Sequence, residues 1–315
     1  MSKNIQHIIL IVPCYNEEKN LTLFAAAAET HLQDFSWDIL FVNDGSSDDS
    51  WNIIRAMRDR DKRIHGISFA RNFGHQNALK AGLEEASAHF AADAYVTLDA
   101  DLQHPLELIP QMIKNMENTR THIVQALRED KGRKISCFKI LTSRLFYSVF
   151  SWLSGIRMLP GMSDFRVIDR HTLEFIVRAN EKDLFLRGLL PWSGLSTVMF
   201  PYLPGERQNG VSQYTLKKMI ALSLSGIVGY SARPLNLAII LGLVAIILAL
   251  GYFIYVIVVY ASGAQVEIGW PSLIGTMLAM GGVQLFIMGI MGLYLGKLFV
   301  ESKNRPTYVI GDKTT

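Results

Sequence analysis

The sequence predicts an α/β domain built on a parallel sheet, followed by a two-helix transmembrane hairpin. Three observations carry this prediction. Apolar, strand-like runs alternate with helix-like segments over the first hundred residues, and three of those runs end in polar clusters. Near the C-terminus, the 63 positions between Arg233 and Lys297 hold one charged residue, Glu267. The chain of 315 residues leaves room for about two domains of roughly 150 residues each.

Half of the residues are hydrophobic and 19% are charged, below the ~25% of ordinary soluble domains. That balance excludes disorder and points to a membrane component. A net charge of +3 is too small to indicate a nucleic-acid partner. Two cysteines, Cys14 and Cys137, form neither a disulfide framework nor a zinc motif, which suits a reducing compartment.

The elements follow in order. His7–Val12 (HIILIV), stopped by Pro13, reads as a buried first strand. Glu17–Leu32 is helical in composition, and Trp37–Val42 (WDILFV) is a second strand. The turn cluster Asn43-Asp44-Gly45-Ser46-Ser47 closes it and supplies an N-cap for the next helix. Arg63–Phe69 reads as a third strand, Asn77–Ala88 as a helix and Ala94–Leu98 as a fourth strand running into Asp99-Ala100-Asp101. Parallel α/β sheets bind ligands at the carboxyl ends of their strands, where residues 13–17, 43–48 and 99–104 fall.

Asp99 and Asp101 lie two apart in an extended segment, so both carboxylates can face one ligand. Such a pair repels unless a cation neutralises it, and its hard oxygens suit Mg²⁺ or Mn²⁺. Gln103 and His104 can add a ligand or contact a phosphate. Alone, an Asp-x-Asp is a common solvated turn or cap; beside two other polar strand ends it reads as a site. His75, His89, His122 and His171 lack ligand spacing and read as solvated or packed imidazoles.

Leu235–Tyr260 would be ~39 Å long as a helix, against a hydrocarbon core of ~30 Å, and Ser272–Gly296 is a second run of spanning length. The connector Ala261–Pro271 has no Lys or Arg, whereas the flanks carry Lys217, Lys218, Arg233, Lys297, Lys303 and Arg305. The positive-inside rule then makes both termini cytoplasmic. Met1–His7 is polar, so no cleavable signal is expected. The expected organisation is a cytoplasmic domain over 1–230, two spans within 233–300 (about 235–260 and 272–296) and a cytoplasmic tail over 301–315. Residues 134–153 carry an apolar stripe beside Lys134, Lys139 and Arg144, and 214–230 are similar; both are expected to be amphipathic helices at the membrane interface, the competing reading being helices packed on the sheet or on another subunit.

Val12-Pro13-Cys14-Tyr15-Asn16-Glu17-Glu18, Val42-Asn43-Asp44-Gly45-Ser46-Ser47-Asp48 and Leu98-Asp99-Ala100-Asp101-Leu102-Gln103-His104-Pro105 together resemble the family 2 glycosyltransferases of GT-A fold. Arg71-Asn72-Phe73-Gly74, Gly161–Arg166, Phe185-Leu186-Arg187-Gly188, Glu206-Arg207, Ser212-Gln213-Tyr214 and the segment from Gly292 to Tyr308 are similar to the polyprenyl-phosphate subgroup. That subgroup includes bactoprenol glucosyltransferases and dolichol-phosphate mannose synthases, and the likeness spans almost the whole chain.

The resemblance implies a GT-A, Rossmann-like nucleotide-sugar domain. It implies inverting transfer of one sugar from a nucleotide-sugar, UDP-glucose as first choice, to undecaprenyl or another polyprenyl phosphate at the cytoplasmic leaflet, for cell-envelope polysaccharide modification. By position, Pro13, Tyr15, Glu17 and Asp44 would hold the nucleoside, and Asp99 would bind the nucleotide with them. Asp99, Asp101 and Gln103 would hold Mg²⁺ or Mn²⁺ and the diphosphate. Arg128 and Arg133 would meet the acceptor phosphate, Arg207 would steady the phosphates, and Ser212 and Tyr214 would join them. Asp164 and Asp101 are the catalytic candidates. Asp164 either positions the acceptor and takes a residual proton, or pairs structurally with Arg166 or Arg170. A Gln-x-x-Arg-Trp element is absent from the sequence, which favours single-sugar transfer. The resemblance also implies a homo-oligomer, with a tetramer among the options, in the bacterial inner membrane. The competing readings are a same-fold transferase to a lipid or saccharide hydroxyl, which would need a carboxylate base, and a non-catalytic membrane scaffold.

Overall fold

A computed structural model of the chain describes residues 4–129, 148, 150–155, 159, 161–179, 181–182, 184–203, 226–229, 231–262 and 269–314. The chain divides into two compact units. The first comprises Met1–Tyr147, Ile156–Tyr214 and Pro306–Thr315, and the second comprises Ser148–Gly155 and Thr215–Arg305.

The first unit is a sheet clothed by helices. In order it contains β1 (His7–Cys14), α1 (Leu21–His31), β2 (Ser36–Asn43), α2 (Ser50–Arg60), β3 (Ile64–Phe69), α3 (His75–His89), β4 (Ala94–Thr97), α4 (Ile109–Thr119) and β5 (Ile123–Arg128). It continues with β6 (Met162–Asp169), α5 (Arg170–Ala179), α6 (Leu186–Ser193), β7 (Thr197–Tyr202) and, after the apolar helices, β8 (Ile310–Lys313). The sheet order is β7-β5-β6-β4-β1-β2-β3-β8. Strands β1 to β4 run parallel, as the alternating pattern predicts. Two strands depart from an all-parallel sheet: β6 lies antiparallel between β4 and β5, and β8 pairs antiparallel with β3.

One face of the sheet buries Leu10, Phe41, Val96, Val124 and Phe165 with Phe24 of α1, Ile54 of α2 and Met112 of α4. The other face carries α3, which comes so close that a Cβ on Gly82 would lie 2.4 Å from the Ile11 Cγ2 methyl and 3.0 Å from that of Val42. At the amino ends of the strands, Asp38 accepts from Nε2 of His7 (2.7 Å) and of His65 (3.1 Å), joining β1, β2 and β3.

The second unit contains α7 (Arg233–Ala261) and α8 (Trp270–Ser302), each with a stretch long and apolar enough to cross a membrane (Arg233–Val259 and Leu273–Ser302). Leu248 of α7 and Leu285 of α8 are 68% and 69% exposed, the reverse of a soluble core helix. The Tyr294 hydroxyl donates to the Ser231 carbonyl at 2.6 Å, which sets the late part of α8 beside the start of α7, as in a hairpin. Arg233 donates to the Trp152 carbonyl. Of the expected interface segments, only Ser148 and 150–153, and 226–229, are among the described residues.

Because α3 seats through Gly82, Gly82→Ala is expected to destabilise the protein by about 1–3 kcal/mol through overpacking, read as a lowered unfolding midpoint. An unchanged midpoint would mean that α3 does not sit this close to Ile11.

Candidate active site

The carboxyl ends of β1, β2 and β4 meet as the sequence predicts, and backbone chemistry joins them. After β1, Asn16 turns through the left-handed region (φ 57°) and accepts the Ser47 amide at 2.9 Å. Ser46 accepts the Asn16 amide (2.9 Å), Ser50 that of Glu17 (3.0 Å) and Asp48 that of Glu18 (3.1 Å). Glu17 in turn accepts from the Asn20 amide group at 2.5 Å. Pro13 is buried in register opposite Val42, and Tyr15 is exposed. Burial, then Glu17 and other acidic neighbours, pushes the Cys14 thiol up, so it stays protonated and inert.

Asp44 turns its carboxylate onto backbone. It accepts from the Phe73 amide at 2.6 Å and the Gly74 amide at 2.9 Å, fixing the loop that leads into α3. Burial raises its pKa against those two bonds. The approach requires glycine at 45: φ is +64°, and a Cβ there would sit 2.3 Å from the Arg71 carbonyl carbon.

That loop aims His75, the first residue of α3, at two carboxylates. Its Nε2 lies 3.5 Å from Asp99 and 3.3 Å from Asp164. Asp164, on β6, is 2% exposed and holds two guanidiniums. Arg166 donates to it at 2.7 Å, and Arg187 of α6 donates at 2.9 and 3.2 Å. The Asp164 carbonyl accepts the Thr97 hydroxyl at 2.6 Å, tying the cluster to β4. Burial alone would raise the Asp164 carboxyl, yet Arg187, His75 and Arg166 hold it well below the ordinary range. Burial lowers Arg166, 1% exposed, to about 10 against the pull of Asp164.

Asp99 faces the same cluster. Its second oxygen lies 3.2 Å from His104 Nε2, and His104 Nδ1 lies 2.9 Å from the Tyr202 hydroxyl. Burial opposes its ionisation, but His75 and His104 lower its pKa. Asp101 is held differently: Gln103 donates to it through its backbone amide (3.1 Å) and its side chain (2.8 Å), around Leu102 at φ 59°. Among the described residues, no group of three metal-type side chains gathers at one point. The donor chemistry of Asp99 and Asp101, two half-buried carboxylates, nevertheless fits a hard cation such as Mg²⁺ or Mn²⁺.

The structure therefore brings Asp99, Asp164, His75, Arg166 and Arg187 together, with Asp101 and Gln103 beside them and Asp44 one loop away. Arg128 ends β5, where its amide donates to the Gly161 carbonyl at 2.9 Å. Arg133, Arg207, Ser212 and Tyr214 lie outside the described residues. His75 departs from the bland reading its spacing suggested, and His104, singled out as a possible ligand or phosphate contact, is buried between Asp99 and the Tyr202 hydroxyl. Arg187 was visible only as part of a motif.

Residues 9–150 match the family model described as Glycosyl transferase family 2. The glycosyltransferase YkcC of Bacillus subtilis is 37% identical over 98% of this chain and 94% of its own length. The bactoprenol glucosyl transferase of Shigella phage SfV is 34% identical over 96% of this chain and 97% of its own. Among solved structures, glucosyl-3-phosphoglycerate synthase from Mycobacterium tuberculosis aligns at 16% identity and TM-score 0.45, over 71% of this chain and 78% of that one, too distantly to speak to the site.

The two carboxylates around His75 raise its imidazole to about 9, against burial that favours the neutral ring. In the metal-free protein, NMR titration of His75 is expected to show a midpoint near 9, and Asp99→Asn to move it down towards the ordinary 6.5. A wild-type midpoint at or below 6.5 would contradict this geometry.

Proposed function

The chain belongs to glycosyl transferase family 2, and from that premise we propose that this glycosyltransferase moves one sugar from a nucleotide-sugar to a polyprenyl phosphate. UDP-glucose is the proposed donor and undecaprenyl phosphate the proposed acceptor. The observation that carries this reading is the likeness to bactoprenol glucosyl transferases, which runs through both apolar helices as well as the sheet. In this reading α7 and α8 span the bacterial inner membrane, both termini are cytoplasmic, and the enzyme works as a homo-oligomer that modifies the cell envelope.

An oxygen of the acceptor phosphate attacks the anomeric carbon opposite the leaving group. The bond from that carbon to the diphosphate breaks, the nucleoside diphosphate leaves with the electron pair, and the configuration inverts. A phosphate monoester has a second pKa of about 6 and is largely ionised at neutral pH, so little general-base help is needed. The state of Asp164 supports this choice over a hydroxyl acceptor, because a carboxylate held far below its ordinary pKa is a weak proton acceptor.

Asp99 and Asp101, with Gln103, would hold Mg²⁺ or Mn²⁺, whose chemistry when bound is to neutralise the departing diphosphate. Arg187 adds positive charge beside it, and Asp164 fixes where Arg187 and His75 point. The Asp44-bonded loop, with Pro13, Tyr15 and Glu17, borders the nucleoside. Arg128, Arg133, Arg207, Ser212 and Tyr214 take the acceptor and phosphate contacts.

Purified full-length protein given UDP-glucose, Mn²⁺ and undecaprenyl phosphate is expected to form a lipid-linked glucose that resists mild base and is released by mild acid. Asp99→Asn and Asp101→Asn should each lower kcat/KM by about 10²-fold or more. No product from UDP-glucose, UDP-galactose, UDP-N-acetylhexosamines or GDP-mannose would overturn the reading.

A further inference from the structure

After α8 the chain returns to the first unit, and its last residues are built into the sheet. β8 extends the β3 edge, the Ala70 amide donates to the Val309 carbonyl at 3.0 Å, and Thr314 and Gly66 exchange hydrogen bonds. Trp51 Nε1 donates to Asp312 at 3.0 Å, and Lys313 Nζ reaches Glu85 at 2.7 Å. Covering an exposed edge strand explains β8 itself. It does not explain Tyr308, which lies before the strand.

Tyr308 stacks on Phe69 with centroids 5.0 Å apart and planes at 16°. Phe69 meets Phe73 edge to face at 5.7 Å and 89°. The Phe73 amide is the one Asp44 accepts at 2.6 Å, and the Arg71 guanidinium lies 4.2 Å over the Phe73 ring. The Tyr308 hydroxyl also bonds Glu84 of α3, the helix whose first residue is His75. Aromatic pairs of this kind contribute beyond their buried area and fix ring orientation. The tail thus bears on the Arg71–Gly74 loop through the aromatic stack, and the Tyr308 hydroxyl separately ties the tail to α3.

We infer that Tyr308 is a positioning residue for donor binding, and that the C-terminal tail holds the Phe73–Gly74 backbone, through Phe69, where Asp44 can grip it. This rests on the proposed function only in taking that loop as the donor side of the site.

The test uses the full-length protein in detergent, comparing Tyr308→Ala with Tyr308→Phe, which keeps the stack, and with Asp38→Asn, which weakens the opposite end of the sheet. The readouts are hydrogen exchange at the Phe73 and Gly74 amides and the Kd for UDP with Mn²⁺. Tyr308→Ala is expected to speed exchange at both amides by about tenfold or more and to raise the Kd by about five- to tenfold. Tyr308→Phe and Asp38→Asn should stay within about twofold of wild type on both readouts. Wild-type exchange in Tyr308→Ala, or equal acceleration in Asp38→Asn, would overturn the inference. So would faster exchange with an unchanged Kd. If wild type binds no nucleotide at all, the donor reading itself fails, and the exchange comparison still decides whether the tail holds the loop.

Discussion

A single carboxylate, Asp164, sits almost without solvent between the guanidiniums of Arg166 and Arg187 and the imidazole of His75. Moving a charge out of water is expensive, and breaking one partner out of a buried pair typically costs about 3–5 kcal/mol. The arrangement therefore persists only if β6, α3 and α6 keep their places. The Thr97 bond to the Asp164 carbonyl adds β4, and with it the strand end that carries Asp99. The position of the candidate diphosphate site and the direction of Arg187 are set by the same ion cluster.

That constraint also bears on the chemistry. A base must take up a proton at working pH, but Asp164 is locked in its ionised form by three positive neighbours. Such a residue suits a reaction whose nucleophile arrives already ionised, as a phosphate does. Charge stabilisation of the leaving diphosphate then becomes the main demand on the protein. Asp44 has a comparable role on the other side of the site, where it orders backbone instead of offering its carboxylate freely.

Much of this was legible from residue patterns. HIILIV, WDILFV and AYVT are apolar runs whose polar sequels had to lie at one end of a parallel sheet, and there they lie. The direction of β6 was not legible, because pairing with β4 and β5 is decided by long-range contacts. Nor was β8: four residues, Ile310–Lys313, carry too little pattern to reveal a strand that pairs some 240 positions back. His75 was passed over because an isolated histidine has no spacing to read. Its signal lay in what precedes it, a glycine at φ +98° that opens a helix at the strand ends. Asp164 was singled out, but its partner Arg187, 23 positions away, could be identified only once α6 packed beside β6.

The central claim is that Asp164 acts by its fixed charge and not by accepting a proton. The most direct test is the pH dependence of kcat/KM from pH 5 to 8 in wild type and in Asp164→Asn. If the claim holds, both enzymes show an acid limb near the acceptor phosphate's second ionisation, about pH 6, with the variant slower throughout. Loss of that acid limb in Asp164→Asn, with a flat profile, would make Asp164 the base and contradict the account.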